Sequence, residues 1–385
     1  MRLRKLDVKE HEQTRALWEL VFKDDSRAFL DYYYFIKIKD NEIHVIEEDD
    51  GIRTMLHLNP YEICINENVF PSHYIVAVAT QEEYRKRGYM GILLQQAMTE
   101  MYQNKEPFTF LMPAAEAIYT PYDFRFIYDQ VQTEFESAVS CANEKMLPVE
   151  LREARLSDTT AMTAFFAEHF AAEYQLCAVH DEKYYQTMIL EQQSQDGGVK
   201  LLTAAGKIVG MYAYSMEMSQ PTIREPLYLA GYEDDFLNAV NLMKAELQKM
   251  GSEKPLKILA CLKKLSSTAK PMIMARILHL PTMLAALTIK DGMEIDCSFA
   301  VLDAFLPQNS KVWKLESYID DPHVRVKEAE DSEGVLTIAA LTSLLFGYKS
   351  VAEIAAEPDV VITDKLGREL NKLQFLQRIF LNEIV

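Results

Sequence analysis

Cysteine is scarce and scattered. The 385-residue chain has five, Cys64, Cys141, Cys177, Cys261 and Cys297, an odd number with no C-x-x-C pair. That excludes a disulfide framework and a zinc knuckle, and leaves free thiols as the expectation. Long apolar runs are missing too. Stretches such as residues 283–289 fall far short of the ~20 residues that span a bilayer. The N-terminus carries Arg2, Arg4, Lys5 and Asp7 with no apolar segment behind them, which is not the pattern of a signal peptide. The expectation is a soluble, cytoplasmic protein with no membrane partner. Positive charge is in deficit, with 40 basic against 58 acidic residues and a formal net charge of -18. Such a surface repels phosphate backbones, which argues against nucleic acid as the main partner; it either favours a small cationic partner or serves solubility alone. Neither G-x-x-x-x-G-K-[ST] nor G-x-G-x-x-G occurs, so there is no nucleoside-triphosphate loop and no dinucleotide fingerprint.

What the chain does have is core. Hydrophobic residues make up 49%, and the length suggests two to three domains. The pattern divides at about residues 148 and 283, giving units 1–147, 148–282 and 283–385 of mixed α/β character. In the first, Asp7 is placed to cap a helix carrying Ala16, Leu17, Leu20 and Val21. Residues 32–35 read as helical, and 42–47, 54–58, 61–65 and 73–79 as strands. Leu94, Ala97, Met98 and Met101 recur at spacings of three and four, which predicts a helix over 87–102. Residues 108–112 read as a short buried strand. The second unit repeats this opening weakly: a strand at 151–154, a helix after Asp158, a hairpin at 201–214 and a helix over 236–250. The third has strands at 298–302, 311–317 and 323–326, a mixed strand and helix at 335–346, and a predicted helix over 366–380.

One stretch carries chemistry. After the strand ending at Val78, Ala79 and Thr80 come Arg85, Lys86, Arg87, Gly88, Tyr89, Met90 and Gly91, and then the amphipathic helix. The first turn of a helix leaves N–H groups unpaired and favours an anion. Gly88 and Gly91 lack a Cβ and let a bulky phosphate approach. Three cations oppose the helix dipole unless an anion sits among them; a diphosphate fits.

Val78-Ala79-Thr80, then Tyr84-Arg85-Lys86-Arg87-Gly88, then Ile118-Tyr119 a helix-length later, resemble the GNAT superfamily of N-acetyltransferases, specifically its enhanced intracellular survival (Eis) type. The similarity covers the whole chain. It implies two GNAT-like domains in tandem, the second degenerate, and a C-terminal sterol-carrier-like domain. It departs from the general GNAT pattern in placing the next small residue after Gly88 at Gly91. By the resemblance, the backbone of Val78 to Thr80 pairs with the pantetheine arm of acetyl-CoA, Lys86 to Gly91 hold its diphosphate, and Ala114 and Ala115 line the thioester end, with no metal. Tyr119 matches the family's general acid, and the C-terminal carboxylate of Val385 its general base. Glu116 and His57 compete as bases, although a strand histidine is more often core. A homo-oligomer, trimer or hexamer, is implied by resemblance alone.

The acceptor implied is a primary amine on a small cation, aminoglycoside- or polyamine-like, or a lysine. Asp24 aligns with an acidic pocket position, and Phe22, Tyr32 and Phe124 are wall candidates or plain core. Glu116 and Glu383 lie near the site in sequence. Leu336, Ile338, Leu341, Leu344 and Leu345 either line a lipid cavity or fill a solid core, and the solid core is the more economical reading. A non-catalytic acyl-CoA or lipid binder that kept the fold is the competing function.

Overall fold

The computed structural model describes residues 1–49, 51–136, 149–216, 220–262, 265–318 and 321–383. Cys141, Ile384 and Val385 lie outside them, so the terminal carboxylate assigned as base has no described position. The first unit runs β1 (Arg2–Lys5), α1 (Arg15–Val21), α2 (Arg27–Phe35), β2 (Glu42–Glu48), β3 (Gly51–Ile65), β4 (Asn68–Thr80), α3 (Tyr89–Gln103), β5 (Phe108–Leu111), α4 (Glu116–Tyr119) and β6 (Arg125–Phe135). Asp7 opens a 3-10 turn over Val8–Thr14 rather than α1 itself. Glu10 Oε2 accepts from the Asp7 N–H at 3.0 Å, and the α-helix begins only at Arg15.

β3 joins two stretches that read as separate strands around Pro60. The proline faces His73 in the β3–β4 register. On the other edge, β2 pairs β3 only as far as Leu58, and the next neighbour begins at Ile63. Pro60 falls in the gap, where no ladder N–H is needed. Alternation sets the two faces. Ile46, Leu56, Leu58 and Ile75 meet Leu93, Leu94, Ala97, Met98 and Met101 of α3. Val45, Met55, Ala77 and Ala79 meet Trp18, Phe29, Leu30 and Tyr33 of α1 and α2.

The second unit comprises β7 (Val149–Glu153), α5 (Thr159–His169), β8 (Leu176–Ala178), α6 (Glu182–Ser194), β9 (Gly198–Ala204), β10 (Lys207–Ser215), β11 (Thr222–Tyr228), α7 (Glu233–Lys249), β12 (Leu256–Ile258) and β13 (Ser267–Ile277). One sheet runs through both units in the order β1-β2-β3-β4-β5-β13-β6-β12-β11-β10-β9-β7. β13 thus sits between β5 and β6 of the first unit, and β6 completes the sheet beside β12 of the second. Each half lends the other a strand.

The third unit comprises α8 (Leu280–Ala285), β14 (Thr288–Ile289), β15 (Asp296–Leu302), β16 (Val312–Tyr318), β17 (Asp321–Ala329), β18 (Gly334–Thr337), α9 (Ile338–Leu345), α10 (Val351–Ile354), β19 (Val361–Ile362), α11 (Asp364–Leu370), β20 (Leu373–Gln374) and β21 (Ile379–Phe380). Its own sheet runs β19-β18-β15-β16-β17-β14-β20. The helix expected over 366–380 ends at Leu370. Leu373, Leu376 and Leu381 are fully buried, but they reach the core from extended chain: β20 pairs β14 and β21 pairs β8. Periodicity over so short a run does not separate a buried tail from a helix. Leu336, Ile338, Leu341, Leu344 and Leu345 belong to one continuous core with Phe108, Phe110, Ile277 and Phe346.

Candidate active site

The β4–β5 pairing, which is parallel, holds at one pair, Tyr74 with Phe110. Beyond it β4 stays bound to β3 through Ala79–Met55 and Thr80–Thr54, while β5 turns to β13 through Leu111–Met274. A bulge helps to separate the two: Ala77 takes φ 51°, where the β3–β4 register slips between Met55 and His57. A bulge inside a strand bends it and disrupts the ladder. Val78, Ala79 and Thr80 therefore line a wedge between diverging strands.

At the mouth of the wedge the chain turns into α3. Gly88 is its N-cap at φ 78° and ψ 6°, with no side chain capping the first-turn N–H groups. Lys86 also takes a left-handed φ of 63°, which points successive backbone amides to one side, as in anion-binding nests. Arg85, Lys86 and Arg87 are exposed. Arg85 Nε donates to Thr80 O at 3.2 Å and Arg87 Nη2 to Glu83 O at 3.0 Å. The Arg87 guanidinium lies 4.6 Å over the Tyr84 ring and 3.6 Å from Glu48. Lys86 pairs with no carboxylate among the described residues. Tyr89 donates to Glu48 and Met90 is half-buried. Gly91 has a reason the sequence does not show: a Cβ there would stand 3.1 Å from the Tyr122 hydroxyl. Its bareness lets α3 approach the turn that follows α4.

The second unit supplies an internal control. β11 is its counterpart of β4 and carries its own left-handed residue, Glu225 at φ 47°. α7 is the counterpart of α3, and Gly231 at φ 93° precedes it. Its first turn, however, holds Glu233, Asp234 and Asp235, and the Gly231 N–H already donates to Glu233 Oε2 at 2.8 Å. Three carboxylates and an occupied amide repel a diphosphate. The two helix starts thus carry opposite charge, three cations before α3 and three carboxylates in the first turn of α7.

Ala114 and Ala115 follow β5 and are exposed, as is Glu116. Tyr119, at the end of α4, is 8% exposed and packs edge-on against Phe124 at 5.8 Å. Burial pushes its phenol up to about 12, so it is protonated at neutral pH. Tyr74 is a second buried phenol, paired with Phe110 at the one β4–β5 contact. Its phenol, raised chiefly by burial, feels both Tyr119 and Glu383.

A cavity of about 450 Å³ lies where the two GNAT-like units meet the tail, walled by Lys37, Tyr61, Tyr184, Arg224, Asn382 and Glu383 among others. Tyr61 and Tyr74 both rest on Phe110, at 6.0 and 5.3 Å, so one wall of the cavity is a ring away from the strand divergence. Glu383 is 4% exposed. Tyr184 donates to Glu383 Oε1 at 3.2 Å and to Glu225. Burial first, and then the Glu225 charge, push the Glu383 carboxyl up to about 7. Its Oε2 has no hydrogen-bond partner among the described residues.

Other expected pocket residues lie elsewhere. Asp24 is exposed on the surface, while its neighbour Asp25 accepts from Trp18 Nε1 at 2.6 Å. Phe22 packs on Trp18 at 5.7 Å, and Tyr32 and Phe124 are core. None of these, nor Glu116, walls the cavity. His57 is fully buried against Tyr33 and pushed down to about 3 by burial, which makes it a core histidine. Glu42, His44 and Glu100 lie close enough to share an ion, but Lys5 Nζ already stands 2.8 and 3.1 Å from the two carboxylates. Sequence reasoning missed Lys37, Tyr184, Arg224 and Glu225. No local motif marks them, because three distant segments bring them together.

Family profiles confirm the reading at both ends. The acetyltransferase (GNAT) domain family matches residues 2–127. The sterol carrier protein domain family matches residues 280–384. The chain carries a GNAT acetyltransferase domain at its N-terminal end and a sterol carrier protein domain at its C-terminal end. Comparison with curated proteins gives no match. Among solved structures, a probable N-acyltransferase of Enterococcus faecalis V583 is similar over 100% of this chain and 99% of its own, with TM-score 0.81 and 16% identity. A GCN5-related N-acetyltransferase from Anabaena variabilis matches over the full length of both chains, with TM-score 0.79 and 15% identity. Eis1 from Mycobacterium abscessus does so with TM-score 0.71 and 12% identity. At these identities the likeness is one of fold, and all three units of the acetyltransferase share it.

Proposed function

We propose that this acetyltransferase moves the acetyl group of acetyl-CoA to a primary amine by direct attack in a ternary complex. The observation that carries this is the start of α3. Its uncapped N–H groups and three exposed cations stand beside a strand edge that β5 has left. A diphosphate satisfies the amides and cations together, and the pantetheine arm extends along Val78 to Thr80 as an added strand.

The thioester then lies by Ala114 and Ala115. A carboxylate of the tail takes the ammonium proton, and the free amine attacks the carbonyl. As the C–N bond forms and the C–S bond breaks, Tyr119 gives its hydroxyl proton to the leaving sulfur, the attacking nitrogen sheds its second proton to solvent to give the amide, and the phenolate regains a proton from solvent. A phenol near 12 is a weaker acid than a thiol near ~8.5, so this transfer is concerted with bond cleavage rather than completed before it. The base is the Val385 carboxyl, two residues beyond the buried Glu383 in sequence. In this division of labour residues 1–147 bind the carrier, 148–282 brace the sheet and wall the cavity, and 283–385 deliver the tail.

Release of free thiol from acetyl-CoA in the presence of an amine library tests this. Tyr119→Phe is expected to abolish turnover and spare acetyl-CoA binding. A wild-type protein that releases no thiol with any amine overturns the enzyme reading in favour of the non-catalytic binder.

A further inference from the structure

The cavity beside Glu383 has an unusual charge balance for a protein with a net charge of -18. Most of its charged walls are already satisfied. Arg224 Nη2 pairs with Glu191 at 2.7 Å. Lys183 pairs with Asp40 at 2.5 Å. Asp181 caps α6 by accepting from the Tyr184 N–H at 2.7 Å. Glu62, also a wall, is exposed to solvent; two less exposed groups of opposite sign are left over. Glu383 keeps one buried oxygen without a partner among the described residues. Lys37 has its Nζ over the Tyr61 ring at 4.7 Å and pairs with no carboxylate among the described residues. Burial pushes the Lys37 amine down and the Glu383 carboxyl up, the response expected of two charges that lack close counter-ions. Each is too far from the other for an ion pair, and the cavity lies between them.

A ligand that completes this arrangement carries both signs. Its ammonium goes to Glu383, on the side of Tyr74 and the thioester, and its carboxylate goes to Lys37. A polycation satisfies Glu383 but puts a second ammonium against Lys37 in a site with little water to screen it. We propose that the acceptor is an amine that also bears a carboxylate, an amino acid or a short peptide, rather than a polyamine or aminoglycoside. About 450 Å³ is within the range of small-molecule sites and holds a dipeptide-sized ligand. This rests on the acetyl-transfer reading for its chemistry, but the binding claim stands on the cavity alone.

The test compares three acceptors: a dipeptide with a free C-terminus, the same dipeptide as its C-terminal amide, and a linear diamine. Each is assayed by thiol release and also titrated calorimetrically onto the protein preloaded with coenzyme A. The free dipeptide is expected to exceed its amide by at least ~10-fold in kcat/KM and in affinity. Lys37→Met should collapse that ratio towards one, and Lys37→Glu should turn the preference to the diamine. Wild-type protein that favours the amide or the diamine overturns the proposal while leaving acetyl transfer intact. A calorimetric preference for the free dipeptide with no thiol release from any acceptor upholds the cavity assignment and defeats acetyl transfer instead.

Discussion

Glu383→Gln should make the protein more stable above neutral pH, and the gain should fade in acid. The Glu383 carboxyl faces Glu225, Tyr184, His180 and Lys37. Its value rises from 4.5 to about 7 on folding. A carboxyl raised on folding disfavours the native state once it ionises, so the penalty is fully present above about 7 and absent below 4.5. At roughly 1.4 kcal/mol per pH unit, that penalty is about 3 kcal/mol at pH ~8 and about 1 kcal/mol at pH ~5. Gln has nearly the same shape, and its amide can donate to the Glu225 carboxylate. An unfolding entropy of about 2 cal/mol/K per residue over 385 residues gives roughly 0.8 kcal/mol/K. The variant should therefore melt about 4 °C above wild type at pH ~8 and about 1 °C above it at pH ~5. Differential scanning calorimetry of both proteins across that range reads the difference directly. Equal melting at the alkaline end, or a gap that does not change with pH, refutes the buried, uncompensated carboxylate.

Tyr119→Phe should lower kcat by about 100- to 10,000-fold, with coenzyme A affinity changed less than about 2-fold. Extending the chain beyond Val385 by a short tag should strongly reduce turnover without lowering the melting temperature, whereas full activity in the tagged protein removes the terminal carboxyl as base. Arg276 is fully buried, pairs with Asp303 at 2.6 Å and donates to Tyr122 O at 3.0 Å, so it ties the turn after Tyr119 to the third unit. Arg276→Ala strands the Asp303 charge and should cost about 3–5 kcal/mol, seen as a drop in melting temperature of roughly 4–6 °C.

Legibility followed the range of the interactions. The α3 start was readable because its signals are local: three cations and a glycine within four residues, followed by a helical repeat. Tyr119 is singled out only through its resemblance to a family, since one tyrosine among 20 carries no spacing of its own, and its role as acid is a proposal. The exchange of β6 and β13 was not readable, because β partners distant in sequence leave no periodic trace and Pro271 interrupts β13. The tail shows the same limit. Leu366, Leu370, Leu373 and Leu376 repeat at spacings of three and four that suit a helix, yet the helix ends at Leu370 and the chain beyond pairs with β14 and β8 instead. The charged cavity was beyond reach for a further reason. Its two enclosed charges, Lys37 and Glu383, are separated by almost the whole sequence, and the excess of acidic residues by itself says only that a small cationic acceptor is favoured, whereas the walls carry both signs.

The central claim is that the turn from Arg85 to Gly91 grips a diphosphate. Calorimetric titration with coenzyme A and with pantetheine, which lacks the diphosphate and nucleotide, isolates that grip. Wild-type protein should bind coenzyme A at least ~100-fold more tightly than pantetheine, and joint reversal of Arg85, Lys86 and Arg87 to Glu should erase most of that ratio while leaving pantetheine affinity unchanged. A ratio near one in the wild type, or one that survives the reversal, contradicts the account.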